Sequence, residues 1–461
     1  MSENTPTPTN ETTSTSSGEI LKNLLAGLTV SFVAISLGAA FGILSERGAF
    51  VGILSAGVIA LITALFGGTR IQCSGPTAPM TAVIVGVVVV AGADLQDKFP
   101  GVVPDHFVNM VLIVTGVLLL VAAALKLGRF ITLVPKVVIS GFMNGIAVLI
   151  WLDQVKKLFG LGGKTAIDGE LMTNVAVAGI TLLAIFVFPK LLKPYPKLGF
   201  LPGTLIAIII ITVGVHAMGL SIEFVTLETS VGSLSDLTDL VRAQVPTSWS
   251  LGLVLFAAPF AFQLAMLCYL DTLLTSLVVD QKVKEMLGKE DPTKPNKELA
   301  AQGIANAVVA LFGGIPGAQA TIRSVLILNE KATLRLAGVM VGVFVLIEML
   351  IFQDYISLIP QAVFVGVLLK VGYDVFDWEP LAVWIKKQMH RKPLEDVTST
   401  YGIVELAHVD LAFILGVTVV TIIIDLNTAV ISFTILFYVI RKFSPIPDLP
   451  PALRTAGTHE D

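Results

Sequence analysis

An all-α polytopic membrane fold is what this sequence predicts, and three observations predict it. The 461 residues are 54% hydrophobic before 40 glycines are counted, and only 14% are charged. Soluble domains run to roughly 45–50% apolar with glycine included and about 25% charged. Apolar runs of about eighteen residues or more recur along the chain, which is the length that crosses a bilayer as a helix. Lys and Arg gather in alternate connections, the charge asymmetry that membrane insertion produces. The net charge of −4 lies in the connections and indicates no nucleic-acid partner. Cys73 and Cys268 both fall in apolar segments, so neither a disulfide framework nor a zinc site is expected.

Residues 1–18 are polar, rich in Ser and Thr, and lack the basic start and apolar core of a secretory signal. We expect a disordered cytoplasmic tail there. Fourteen apolar segments follow, centred near residues 33, 58, 84, 117, 145, 183 and 209, then 269, 306, 323, 343, 366, 417 and 434. Residues 19–220 carry the first seven, 221–250 form a polar extracytoplasmic loop, and 251–442 carry the second seven. Residues 443–461 are a proline-rich tail. A cytoplasmic N-terminus puts Lys126, Arg129, Lys136, Lys190, Lys193, Lys197, Lys282, Lys284, Lys289, Lys331, Arg335, Arg441 and Lys442 inside. Acidic connections with Asp94, Asp97, Asp105, Glu223, Glu228, Asp236 and Asp239 then face out, and the C-terminus lies in the cytoplasm too. Lys156, Lys157 and Lys164 are the exception, facing outward. The basic run 386–392 is expected as a cytosolic surface helix near lipid headgroups.

Seven segments per half is an odd number, so the second half enters the membrane upside down relative to the first. Inverted repeats of this kind are a transporter architecture, with the substrate held near the midplane between broken helices. Segments 3 and 10 fit that role. "TRIQCSGPTAPMTAVIVGVVVV" and "FGGIPGAQATIRSVLILN" both begin with Gly and Pro and carry only a short apolar run. Pro76 and Pro79 suit a first helical turn, where a missing N–H costs nothing. Each segment is then a half-helix whose N-terminus, with unpaired N–H groups and about half a positive charge, points at the midplane. Together they form an anion site. Arg323 adds a full charge, and Ser36 of segment 1 is placed to line the pocket.

Segment 8 carries Asp271 within an apolar run, at a cost of about 2.5–3.5 kcal/mol on insertion scales. Thr275 is four residues on, on the same helix face. A carboxylate and a hydroxyl there offer oxygen ligands to sodium, or equally a proton site. Asn144, Gln263, Gln302 and Asn306 are expected to hydrogen-bond between helices. Glu348 is an acid in an apolar run with no partner named by the sequence, and Asp425 is expected to cap a turn between the last two spans. An enzyme is disfavoured: there is no HExxH, the histidines lack ligand spacing, and Asp271 and Asp374 are the only candidate acid pair. A passive anion channel could use the same helix-end site, but would gain nothing from Asp271.

The runs "NKELAAQGIANAVVALFGGIPGAQATIRS" (296–324), "SGPTAPMT" (74–81), "PKVVISGFMNGI" (135–146) and "IIIDLNTAV" (422–430) resemble the sulfate permease (SulP) family of anion transporters. The blocks occur in the expected order and span the membrane region, about residues 20–440. The resemblance implies fourteen segments in two inverted seven-segment repeats, a core domain (segments 1–4 and 8–11), a gate domain made of the rest, and a homodimer in a cell membrane, with short loops favouring a bacterial inner membrane. "LDTLLTSLVVD" and "KVGYDVFDW" are similar to the sodium-dependent bicarbonate carriers of that family. By that resemblance Thr77, Ala320 and Thr321 bind the anion, and Asp271 and Thr275, joined by Gln319 and Thr321 from the start of segment 10, bind sodium; Ala78, Gln319 and Arg323 join the anion site as residues of the same two helix starts. No other cofactor is implied. Gln319 departs from the family's small Gly, and Arg323 stands where the bicarbonate carriers are neutral. The added charge keeps sulfate or a dicarboxylate open, with proton coupling or uncoupled exchange as further alternatives. The family's C-terminal STAS domain is not expected, because about twenty residues follow the last span.

Overall fold

Long apolar runs without backbone partners in lipid must close their hydrogen bonds locally, and helices dominate this chain accordingly. A computed structural model of the protein describes residues 17–162, 164–192, 203–226, 234–288, 290–390, 408–424 and 426–443. The expected tails at 1–16 and 444–461, Lys193, Lys197, Glu228, Lys289, Asp425 and the end of the basic run lie outside these residues.

The first half comprises α1 (Ser17–Leu44), α2 (Ala49–Phe66), α3 (Ala78–Ala93), the single turn α4 (Leu95–Lys98), α5 (Pro104–Ala124), α6 (Lys136–Phe159), α7 (Leu171–Leu192) and α8 (Gly203–Ala217). After α9 (Leu234–Gln244), the second half comprises α10 (Leu251–Leu287), α11 (Pro295–Ala310), α12 (Thr321–Asn329), α13 (Leu336–Ile356), α14 (Gln361–Val375), α15 (Trp378–His390), α16 (His408–Ile423) and α17 (Leu426–Phe443). Among the described residues, seven of these are long and apolar enough to cross a membrane by length and composition: α1, α2, α5, α6, α7, α10 and α13. Leaving out α4, α9 and α15, the helices coincide with the fourteen predicted segments. The predicted polar loop 221–250 holds a helix the sequence reading did not name. Asn109 on α5 donates through Nδ2 to the Gln244 carbonyl (2.8 Å) and Oε1 (2.9 Å), which docks α9 on α5.

The packing obeys an exchange of the two halves. In one bundle α2 lies along α13, as α11 lies along α5, and α1 against α13, as α10 against α5. The other bundle pairs α6 with α16 and, correspondingly, α14 with α7. Even the close approaches are repeated. A Cβ on Gly116 of α5 would meet the Gly303 carbonyl of α11 at 2.5 Å, and a Cβ on Gly342 of α13 would meet the Gly57 carbonyl of α2 at 2.9 Å. Small residues let helix backbones touch where lipid gives no hydrophobic drive between helices. The fold is therefore two inverted seven-segment repeats, folded into a core bundle (α1–α3, α5, α10–α13) and a gate bundle (α6–α8, α14, α16, α17).

Two polar outliers of the sequence find partners. Glu348 on α13 accepts from the Ser31 hydroxyl of α1 at 2.8 Å, so a neutral donor rather than a cation meets it. Of the cations that break the charge bias, Lys164 is tied to Asp153 at 2.6 Å and Glu46 at 3.0 Å.

Candidate functional site

The lead-ins to α3 and α12 are both rich in Gly and Pro, and neither can be helical. They pair instead. β1 (Ser74–Pro76) and β2 (Gly317–Gln319) form an antiparallel ribbon, with Ser74 opposite Gln319, Gly75 opposite Ala318 and Pro76 opposite Gly317. A Cβ on Gly317 would meet the Gly75 carbonyl at 2.4 Å, so the ribbon closes only with glycine there. Pro76, expected in the first turn of a helix, lies in this strand; its carbonyl is used and its missing N–H costs nothing at an edge. Pro79 does occupy the first turn of α3. The ribbon continues at one end through the Ala320 N–H, which donates to the Cys73 carbonyl at 3.0 Å.

Because β1 runs into α3 and β2 into α12, the helices leave the ribbon in opposite directions with both N-termini on it. The strand ends that feed them are offset by two residues, roughly 7 Å. At 1.5 Å per residue, α3 is about 24 Å long and α12 about 14 Å, both short of the ~30 Å hydrocarbon core. Neither N-cap residue, Thr77 or Ala320, caps its helix with a side chain. The first N–H groups of each helix are thus left for another acceptor.

Arg323 fills the space beside the ribbon. Its side chain is 1% exposed, its Nη2 donates to the Pro76 carbonyl at 2.8 Å, and its Nε and Nη1 have no hydrogen-bond partner. A Cβ on Gly75 would stand 2.8 Å from Nη1, so glycine makes the room for the guanidinium. Buried charges are normally paired and hydrogen-bonded. Two donor atoms of a buried cation and two open helix ends thus stand together without acceptors, a set of groups that an anion would satisfy.

The other predicted residues divide as follows. Thr275 is buried, and its hydroxyl lies 2.6 Å from that of Thr321, the first residue of α12. Asp271 is half-buried one turn earlier on α10. Gln319 is fully buried; its Oε1 accepts from Ser276 at 2.7 Å and from Thr69 at 3.4 Å, while its Nε2 has no hydrogen-bond partner. The buried Thr77 hydroxyl has no partner either, and Ala78 opens α3. Ser36 is buried on α1, which packs against α3 and α12, but its hydroxyl donates to the Phe32 carbonyl of its own helix (2.8 Å) rather than to any of these residues. Among the described residues, no group of three or more His, Cys, Asp or Glu could hold a metal ion.

Sequence reading missed Thr69, Thr272 and Ser276. Thr272 accepts from the Gln319 N–H at 3.3 Å, and Thr69 and Ser276 hydroxyls stand 3.2 Å apart. The available signal was a hydroxyl at three positions within five residues of Asp271, namely Thr272, Thr275 and Ser276. Gln302 does not bridge helices as expected and holds the ribbon instead, through Ser74; Asn306 does both, donating to Cys268 Sγ on α10 at 3.9 Å and gripping the ribbon through Gly317.

A profile of the sulfate permease family matches residues 20–392, well over half of the chain. The chain belongs to the sulfate permease family. It is 30% identical over 417 residues to the bicarbonate transporter BicA of Picosynechococcus sp., covering 86% of this chain and 68% of that one. The putative sulfate transporter YvdB of Bacillus subtilis is also 30% identical, over 78% of this chain and 66% of its own length. Among solved structures, the transmembrane domain of a cyanobacterial bicarbonate transporter BicA superposes with a TM-score of 0.72 at 27% identity, covering 89% of this chain and 97% of that domain. Murine Slc26a9 in the inward-facing state shares the fold with a TM-score of 0.70 at 16% identity, over 93% of this chain and 69% of its own. This sulfate permease family member is a multi-pass membrane anion transporter and not an enzyme. Asp374, the second acid of the candidate pair, sits on α14 of the gate bundle and pairs with Lys370 at 2.5 Å.

Proposed function

We propose that this protein is a secondary carrier that moves a small inorganic anion, bicarbonate or sulfate, by alternating access, with sodium as the co-transported ion. One observation carries the anion site: two helix N-termini joined tip to tip by the β1–β2 ribbon, with the buried Arg323 beside them holding donors in reserve. Thr77, Ala78, Gln319, Ala320, Thr321 and Arg323 contact the anion, with Ser36 behind them. Main-chain N–H groups and a guanidinium fork both suit a planar or tetrahedral oxyanion. Sodium coupling is supported by the oxygen atoms around Asp271, where the Thr275 and Thr321 hydroxyls converge at 2.6 Å and Gln319 lies alongside. Hard cations take such oxygen ligands, and a cation there offsets the charge of the anion. The core bundle moves against the gate bundle to expose this site to either side in turn. The protein works as a homodimer in a cell membrane, with both termini in the cytoplasm.

A second reading, proton-coupled transport of sulfate, is favoured by Arg323, since a full charge suits a divalent anion. Uptake of labelled bicarbonate, sulfate and fumarate into proteoliposomes, with sodium and pH gradients imposed separately, decides between them. Sodium-driven uptake is expected, and Asp271→Asn is expected to abolish the response to the sodium gradient. Uptake indifferent to both gradients would replace the carrier with a channel.

A further inference from the structure

Helix α11 presents Glu298, Gln302 and Asn306 at i, i+4 and i+8, so the three side chains line one face. All three are fully buried. Glu298 accepts from the Thr69 N–H (2.9 Å) and the Gln72 amide (3.0 Å) through Oε2, and from the Gln302 amide (3.1 Å) through Oε1. Thr69 and Gln72 belong to the lead-in of β1. Gln302 also donates to the Ser74 hydroxyl at 2.7 Å, and that hydroxyl donates to Gln72 Oε1 at 3.0 Å. Asn306 grips the second strand: its Oδ1 accepts from the Gly317 N–H and its Nδ2 donates to the Gly317 carbonyl, both at 2.9 Å.

The backbone is shaped for this grip. A Cβ on Gly67 would meet Glu298 Oε2 at 2.6 Å, and one on Gly68 would meet the Lys294 carbonyl at 2.1 Å. The equivalent helix of the first half, α2, does much less. Its Ser55 hydroxyl accepts from the Ile315 N–H at 2.8 Å, and its Thr63 carbonyl accepts from Gln72 at 3.0 Å. A buried carboxylate is tolerated only with its donors in place. Glu298 therefore fixes the loop that feeds α3 as firmly as the loop satisfies Glu298.

We propose that the Glu298–Gln302–Asn306 face of α11 is a clamp that sets the spacing of the two helix tips, with Glu298 and Asn306 as positioning residues for the anion. The clamp holds β1 from its lead-in and β2 by its first residue, so one rigid helix determines both halves of the ribbon. This deepens the reading of the ribbon as the anion site and rests on it.

The test uses the full chain in proteoliposomes with Glu298→Gln, Asn306→Ala and Asn306→Asp. Glu298→Gln keeps the volume but turns an amide donor against other donors. Cys73, next to Gln72, and Cys268, whose Sγ donates to the Gly317 carbonyl at 3.5 Å, are both buried and report on the two grips separately. Glu298→Gln is expected to speed N-ethylmaleimide labelling of Cys73 and not Cys268, and Asn306→Ala the reverse. Each should raise the KM for labelled bicarbonate or sulfate about tenfold, the scale of one lost buried hydrogen bond, with the maximal rate per folded molecule within about twofold. Asn306→Asp keeps the acceptor for the Gly317 N–H and should recover part of the loss. If Glu298→Gln fails to fold, Glu298→Asp, which keeps the charge but shortens its reach, is expected to give the same selective opening of Cys73. Both cysteines opening together in every variant would mark a general folding role and overturn the clamp, as would unchanged labelling with an unchanged KM. Should the unmodified protein carry neither anion, the proposed function falls while the labelling pattern still decides the clamp.

Discussion

The lead-in to α3 and the lead-in to α12 pair with each other residue for residue, yet they carry different chemistry. The first offers Thr77 and main-chain N–H groups, with no charge anywhere between Ser74 and Ala93. The second offers Gln319, Thr321 and Arg323 around a helix of nine residues, against sixteen in α3. Duplication and inversion reproduce the backbone geometry, because that depends on where Gly and Pro forbid helix. Side-chain chemistry is free to diverge once the geometry is held. The first half thus offers a helix dipole and one hydroxyl, and the second half carries the positive charge and the groups around Asp271 on which the proposed coupling rests.

The strongest attempt to break this asymmetry is Arg323→Ala. It removes the buried positive charge beside the ribbon, and a charged hydrogen bond of about 2 kcal/mol predicts a KM for the anion raised roughly thirtyfold. Arg323→Lys should restore little, since a point charge cannot both hold the Pro76 carbonyl and present a fork. Concentration-dependent uptake of labelled anion measures both, and a KM within threefold of the parent for Arg323→Ala would dissolve the contrast. Gln319→Gly makes the second lead-in as plain as the first and releases the Ser276 and Thr69 hydroxyls. The ratio of sulfate to bicarbonate uptake is expected to shift by about fivefold, of the order of one neutral hydrogen bond. Thr77→Val should do least, because the hydroxyl it removes has no partner. A KM for the anion raised about threefold, the low end for one neutral hydrogen bond, and melting within about 2 °C are expected of it; an unchanged KM would show that the first half contributes its main chain alone.

Much of this site was legible because membrane sequences punish exceptions. Arg323 and Asp271 stand out from apolar runs, and Gly-Pro lead-ins announce where helices cannot begin. The ribbon was not legible. Three-residue strands carry no periodicity, and Pro76 reads equally well as a helix start until Gly317 is known to lie opposite it. Glu298 was hidden for another reason: "KPNKELAAQ" is a basic, polar stretch that reads as a loop, and its burial follows from where α11 packs. Spacing gave the missing clue, since Glu298, Gln302 and Asn306 recur every four residues with small and apolar side chains between them. Thr272 and Ser276 share that spacing and cluster near Asp271, but hydroxyls are a weaker clue than amides and acids because most buried ones bond only to their own helix.

Helix α10 has 37 residues, about 55 Å of rod for a hydrocarbon layer of ~30 Å. Its far end bears Lys282, Lys284 and Glu285, and Asp280 anchors the turn into α11 by accepting from the Thr293 N–H at 2.9 Å and hydroxyl at 2.7 Å. The rod is therefore about 25 Å longer than that layer, counting both of its ends, and it belongs to the same bundle that carries Asp271. With both native thiols buried, a single dye on Met286→Cys would sit at the end of that rod and report any movement of the bundle it belongs to.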